Sequence, residues 1–102
     1  MLFLQISKHA PESCPIHNEK HKKATMDLMA NLDKLQKKYG VKEIGSWLSM
    51  PNHLNVSVYD APNMEAIIKF SMDPVVVAWL AYNDSETFPV TTAEEAVKIF
   101  LK

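Results

Sequence analysis

The sequence predicts an α+β domain: one β-sheet with helices packed on one of its faces. Three observations carry this. Short stretches of alternating polarity read as strands, beginning with Met1–Lys8. A longer stretch with apolar residues at Ala24, Leu28, Leu32, Leu35 and Tyr39 has the spacing of an amphipathic helix. Start and stop signals divide the remainder into short elements in the order β-α-β-β-α-(α)-β-α.

Each element has its own local reason. In Met1–Lys8, Leu2, Leu4 and Ile6 alternate with Phe3, Gln5 and Ser7, as in a half-buried strand. His9–Asn18 carries two prolines and reads as a loop. The long helix follows and closes at Gly40, a residue suited to a left-handed C-terminal cap. Val41–Ser49 and His53–Tyr59 are a second and third strand, joined as a hairpin by Met50-Pro51-Asn52. Asp60-Ala61-Pro62 opens a helix whose inner face is expected at Met64, Ile67, Ile68 and Ser71. Asp73-Pro74 opens the apolar run Val75–Tyr82. Its valines favour a strand and its opening favours a helix, and the reading adopted is a short helix. Glu86–Thr91 is the fourth strand. Thr92-Ala93-Glu94-Glu95 is a capping box that starts a final helix ending near Leu101. This is the split β-α-β, ferredoxin-like pattern, βαββαβ, with an extra C-terminal helix.

At 102 residues the chain fits one domain, 1–102, with no linker, repeat or low-complexity tract. A formal net charge of -1 gives no electrostatic footprint for nucleic acid or an anionic membrane. The lysines of the long helix read as its solvated outer face. One cysteine excludes an intrachain disulfide framework and suits a reducing cytoplasm. The apolar start is too short for a signal peptide or a membrane span. With glycine only at 40 and 45, a phosphate-cradling loop is excluded, and no serine lies in a nucleophile elbow.

One cluster carries chemistry. His9, Cys14, His17 and His21 spell H-x4-C-x2-H-x3-H, and the fourth histidine, His53, sits in the hairpin turn. Imidazole and thiolate are the side chains that best bind zinc and its neighbours in the transition series. In a ferredoxin-like sheet, the end of strand one, the start of helix one and the hairpin between strands two and three share one edge. The candidates are therefore expected at one end of the domain. Stepping by three or four from His21 reaches Ala24, Leu28 and Leu32, which puts His21, and with it His17, on the buried stripe. Cys14 falls at or before the helix N-terminus, where the dipole favours thiolate. The expected metal ligands are Cys14, His17, His21 and His53, with zinc the first choice and iron or copper next. His9 is the weakest member, since alternation carries it onto the Phe3, Gln5, Ser7 face. That face, with His53, Asn55, Ser57 and Tyr59, is expected to point away from the helices, and Leu54, Val56 and Val58 towards them, so that His53 reaches His17 and His21 only through its place in the hairpin turn. The plain alternative is that the histidines and the cysteine are simply packed and hydrogen-bonded.

The β-α-β-β-α-β order resembles the dimeric α/β-barrel superfamily. The segments His9-x-Pro11-Glu12-x-Cys14-Pro15, Pro51-Asn52-His53 and Phe88-Pro89-Val90-Thr91-Thr92-x-Glu94-Glu95-Ala96 are similar to an uncharacterised stand-alone branch of it. The resemblance implies a homodimer, or a higher oligomer, in which two four-stranded sheets meet face to face. The superfamily includes isomerases, cofactor-free monooxygenases and haem-degrading enzymes, so it implies no one activity. Three functional readings follow. The first is a cytoplasmic homodimer with a metal site at the sheet edge. The second is a metal-free binder or enzyme, of isomerase or cofactor-free oxygenase type, with a pocket between sheet and helices. The third is a structural dimer.

Overall fold

A computed structural model describes residues 1–101. The strands are β1 (Leu2–Lys8), β2 (Lys42–Ser49), β3 (Leu54–Asp60) and β4 (Asp84–Val90). The helices are α1 (Glu19–Tyr39), α2 (Met64–Ser71), α3 (Pro74–Leu80) and α4 (Ala93–Phe100). All neighbouring strands are antiparallel, in the order β2-β3-β1-β4. The apolar run is helical as far as Leu80, as its Asp-Pro opening argues, and turns at 81–82: Asp73 caps α3 by accepting a hydrogen bond from the Val75 amide at 3.0 Å. Gly40 closes α1 at φ 69°, and Asn63 and Thr92 cap α2 and α4 through the amides of Ala66 and Glu95.

The long helix starts later than the histidine spacing requires. Asn18 is its N-cap, with Oδ1 accepting from the His21 amide at 2.9 Å, so helical geometry begins at Glu19. His17 lies in the turn before it and is exposed, so it is not an i, i+4 neighbour of His21 on one helix face. In α2 the inner face is Ala66, Ile67 and Phe70 with Met64 at its edge, and Ile68 turns half outward.

The facing of the sheet is the reverse of the expected one. Phe3 and Tyr59, adjacent in the β1–β3 register, pack with Leu35, Ile67, Phe70 and Val76 under the helices. Ser7 and Ser57 are also buried there. The outer face carries Leu4, Ile6, Val56, Val58, Trp47 and Phe88, and no helix covers it among the described residues. Two physical facts permit this. Phe3 and Tyr59 bring two aromatic rings into the cluster beneath the helices, where Tyr59 lies 5.8 Å from the Phe70 ring. The polar side chains beside them are satisfied sideways within the sheet: Ser7 and Ser85 pair at 2.8 Å, Ser46 and Ser57 at 3.0 Å, and Gln5 Nε2 donates to Thr87 Oγ1 at 3.2 Å. The molecule is accordingly flat, 52 × 32 × 16 Å. No helix among the described residues is long and apolar enough to cross a membrane.

Candidate metal centre

The corrected facing decides which ligands meet. Beyond the last paired residues, Lys8 and Leu54, the β1–β3 ladder continues through the His9 amide, which donates to the His53 carbonyl at 3.1 Å. His9 and His53 thus face one another on the helix side of the sheet, their ring centroids 5.1 Å apart. Cys14 arrives from the connecting loop. A 3-10 turn over Pro11–Ser13 ends at Cys14, and its carbonyl then accepts from the amides of His17 and Asn18 to lead the chain into α1. One ligand atom each from His9, Cys14 and His53 lies within 4.8 Å of the others. A tetrahedral zinc ion spaces nitrogen and sulfur donors about 3.5 Å apart, so small rotamer adjustments close such a set.

Two of these residues have features that suit a ligand. The His9 Nε2 is buried and has no hydrogen-bond partner among the described residues, a state that costs free energy unless something occupies it. Burial, and then the neighbouring His21 and His53, hold the His9 pKa below its ordinary value of 6.5, which favours the neutral imidazole a metal requires. His53 has φ 52°, the only non-glycine residue with positive φ among those described. That left-handed backbone closes the turn over Met50–Asn52, with the His53 amide donating to the Met50 carbonyl at 3.2 Å.

His21, although buried at 1% exposure, has both nitrogens in use. Ser13's carbonyl can only accept, so Nδ1 carries the proton towards it and Nε2 accepts from Asn83 Nδ2 at 3.3 Å. The ring stacks on Tyr82 at 5.0 Å and meets His9 edge-on at 5.3 Å. It ties down the residue before Cys14 and backs the His9 ring. Of the ligands expected from sequence, the fold therefore gathers Cys14 and His53, adds His9, places His21 behind them and leaves His17 in solvent. The signal for His9 was its strand alternation, which pointed the right way only once the facing of the sheet was known.

The cluster lines a cavity of about 190 Å³ whose walls include Ile16, Leu48, Met50 and Trp79. A second cavity of about 270 Å³ adjoins it beneath α1 and shares Thr25, Leu48, Asn55 and Trp79. Its floor is the polar sheet face, and Leu28, Leu32 and Phe70 are among its apolar walls. At its far end, Glu43 and Tyr59 sit opposite one another across β2 and β3. Burial raises the Glu43 carboxyl above its ordinary value, and burial with the nearby Glu43 charge pushes the Tyr59 phenol up to about 12.

A four-stranded antiparallel sheet in the order β2-β3-β1-β4, with helices on one face, defines the ferredoxin-like class of α+β protein. Within that class, residues 1–102 match the model of an uncharacterised family, described as a domain of unknown function (DUF3303), and the chain belongs to that family. The fold is similar to the crystal structure of protein Atu4242 from Agrobacterium tumefaciens, with a TM-score of 0.52 and 12% identity over 91% of this chain and 96% of that one. A crystal structure titled as an antibiotic biosynthesis monooxygenase aligns with a TM-score of 0.47 and 11% identity over 91% of this chain and 99% of that one. No curated protein matches the chain.

Proposed function

We propose that the protein binds a transition metal ion, zinc first and iron or copper next, through His9, Cys14 and His53. The observation that carries the reading is the convergence of two imidazoles and the sole cysteine within 4.8 Å, at a place where the His9 Nε2 is buried without a partner. One sulfur and two nitrogens form a ligand set of the kind found in catalytic zinc sites, where a fourth position is left to water or substrate. A reducing cytoplasm would keep Cys14 a thiol and available as a ligand. A metal held this way acts as a Lewis acid and lowers the pKa of a bound water.

The protein that does this is, in our reading, a homodimer. The outer sheet face exposes Trp47 and Phe88 beside Leu4, Ile6, Val56 and Val58. On α4, Ile99 and Phe100 are 64% and 78% exposed. Apolar surfaces of this extent are stable in water only when something covers them, and a second copy brings the same surface.

The test is metal content per chain in untagged protein purified without chelator, measured beside Cys14→Ser, His9→Asn and His17→Asn. Near-stoichiometric metal in the parent and in His17→Asn, with loss in the other two, supports the centre. Equal metal in all four, or none after reconstitution under reducing conditions, ends the proposal. The second reading, a metal-free small-molecule site, is favoured by the joined cavities and would then stand alone.

A further inference from the structure

The metal reading leaves one coordination position without a protein donor. Only His9, Cys14 and His53 bring ligand atoms together among the described residues. The nearest other imidazole, His21, has both nitrogens hydrogen-bonded within the protein. His17 is exposed and does not line the cavity. A four-coordinate ion here must take its last ligand from outside the chain.

Charge states what kind of ligand that is. A divalent ion with one thiolate and two neutral imidazoles carries a net charge of +1. No Asp, Glu, Lys or Arg lines the cavity on the side of Cys14 among the described residues, and in the open cleft on the other side of His9 and His53 the charges of Lys8 and Asp84 offset one another. The uncompensated charge lies in a space walled by Ile16, Leu48, Met50 and Trp79, where a charge has little water to screen it. A monoanionic oxygen donor neutralises it, and a neutral donor does not.

Shape states the rest. From the ligands the space runs under α1 into the second cavity, past Thr25 and Trp79, between apolar helix side chains and a sheet face of amide and hydroxyl groups, with the Glu43 carboxyl only at its far end. We infer that the centre takes a small organic anion whose oxygen donor binds the metal and whose apolar, ring-sized body lies in the groove beneath α1. This rests on the metal reading, and the experiment separates the two.

The probe is cobalt(II), loaded in place of the native ion and followed by its absorption, with two hydroxamates as monoanionic oxygen donors. Acetohydroxamate has the metal-binding head alone, and benzohydroxamate adds a phenyl ring. A thiolate-to-cobalt charge-transfer band in the parent, lost in Cys14→Ser, reports that the centre has formed. Benzohydroxamate is then expected to shift the cobalt bands with an affinity about tenfold or more above that of acetohydroxamate, because burying the ring adds apolar contact. Leu28→Gln, on the groove wall under α1 and outside the cavity that holds His9, Cys14 and His53, should remove most of that preference while leaving the cobalt spectrum in place. Absence of the charge-transfer band overturns the metal reading beneath. A normal band with no response to either hydroxamate, with equal affinities, or with a preference that Leu28→Gln leaves untouched, overturns this inference alone.

Discussion

At the scale of single residues, the proposed centre depends on one unfavourable backbone conformation and one orphaned nitrogen. His53 occupies the left-handed region, which costs a non-glycine residue about 1 kcal/mol. Histidine and asparagine tolerate it better than most side chains. His53→Asn should therefore fold with stability within about 1 kcal/mol of the parent, and His53→Gly should be as stable or slightly more so. Both should lose stoichiometric metal. Thermal melts and metal analysis on the same preparations check this; a large stability loss in His53→Gly would show that the ring packs for structure. His21 acts differently. Its ring holds Ser13 and Asn83 and touches no ligand position with a free nitrogen, so its loss should loosen the centre without abolishing it.

At the scale of elements, the pairing of β2 with β3 sets the wall of the groove. Glu43 lies opposite Tyr59, and its amide donates to Gln36 Oε1 at 2.8 Å, which anchors β2 to the end of α1. Burial raises the Glu43 pKa above its ordinary value of 4.5. In the window above that value the folded state holds a proton that the unfolded state has released. Stability therefore falls as pH rises through the folded pKa. Glu43→Gln removes the penalty. The variant should melt a few degrees above the parent at pH 8, and the gap should close towards pH 4. Melting temperatures at the two pH values decide it; a gap independent of pH would locate the effect in packing. Further along β2, a register shift between Glu43 and Gly45 forms a bulge, and a Cβ on Gly45 would lie 2.6 Å from the Trp47 indole. The glycine lets Trp47 lie flat along the outer face.

At the scale of the whole molecule, one sheet carries two unlike faces, and each has a use. The face under the helices combines Phe3 and Tyr59 with serines, Gln5 and Asn55, which makes it both core and groove floor. The outer face is apolar and free of helices among the described residues. Val58→Glu places a charge in the middle of that face, next to Leu4 in the register and away from the core. It should turn dimer into monomer at micromolar concentration and leave the α-helical signal unchanged. Light scattering after size-exclusion chromatography measures it, and an unchanged mass would remove this face from the interface.

Much of this was legible in residues alone. Caps at Asp73, Thr92 and Gly40, the alternation of β1 and the hairpin at Pro51-Asn52 are local chemistry, and local chemistry is written in adjacent residues. From the order of elements came the ferredoxin-like topology, and with it one edge of the sheet for His9, Cys14, His21 and His53. What the sequence could not decide was which sheet face the helices cover. Both faces of β1 are amphipathic enough to be buried, and alternation records that two faces exist without saying what packs on either. That choice is made by long-range packing, chiefly Phe3 and Tyr59 against Phe70, Ile67 and Leu35. It turns His9 inward to meet Cys14 and His53. The helix start was settled in the same way, by the Asn18 cap, and it left His17 in solvent. The sequence by itself determined the elements, their order and the end of the sheet where the candidate ligands gather. Only the tertiary structure decided which of them face one another, because orientation depends on contacts between residues that are distant along the chain.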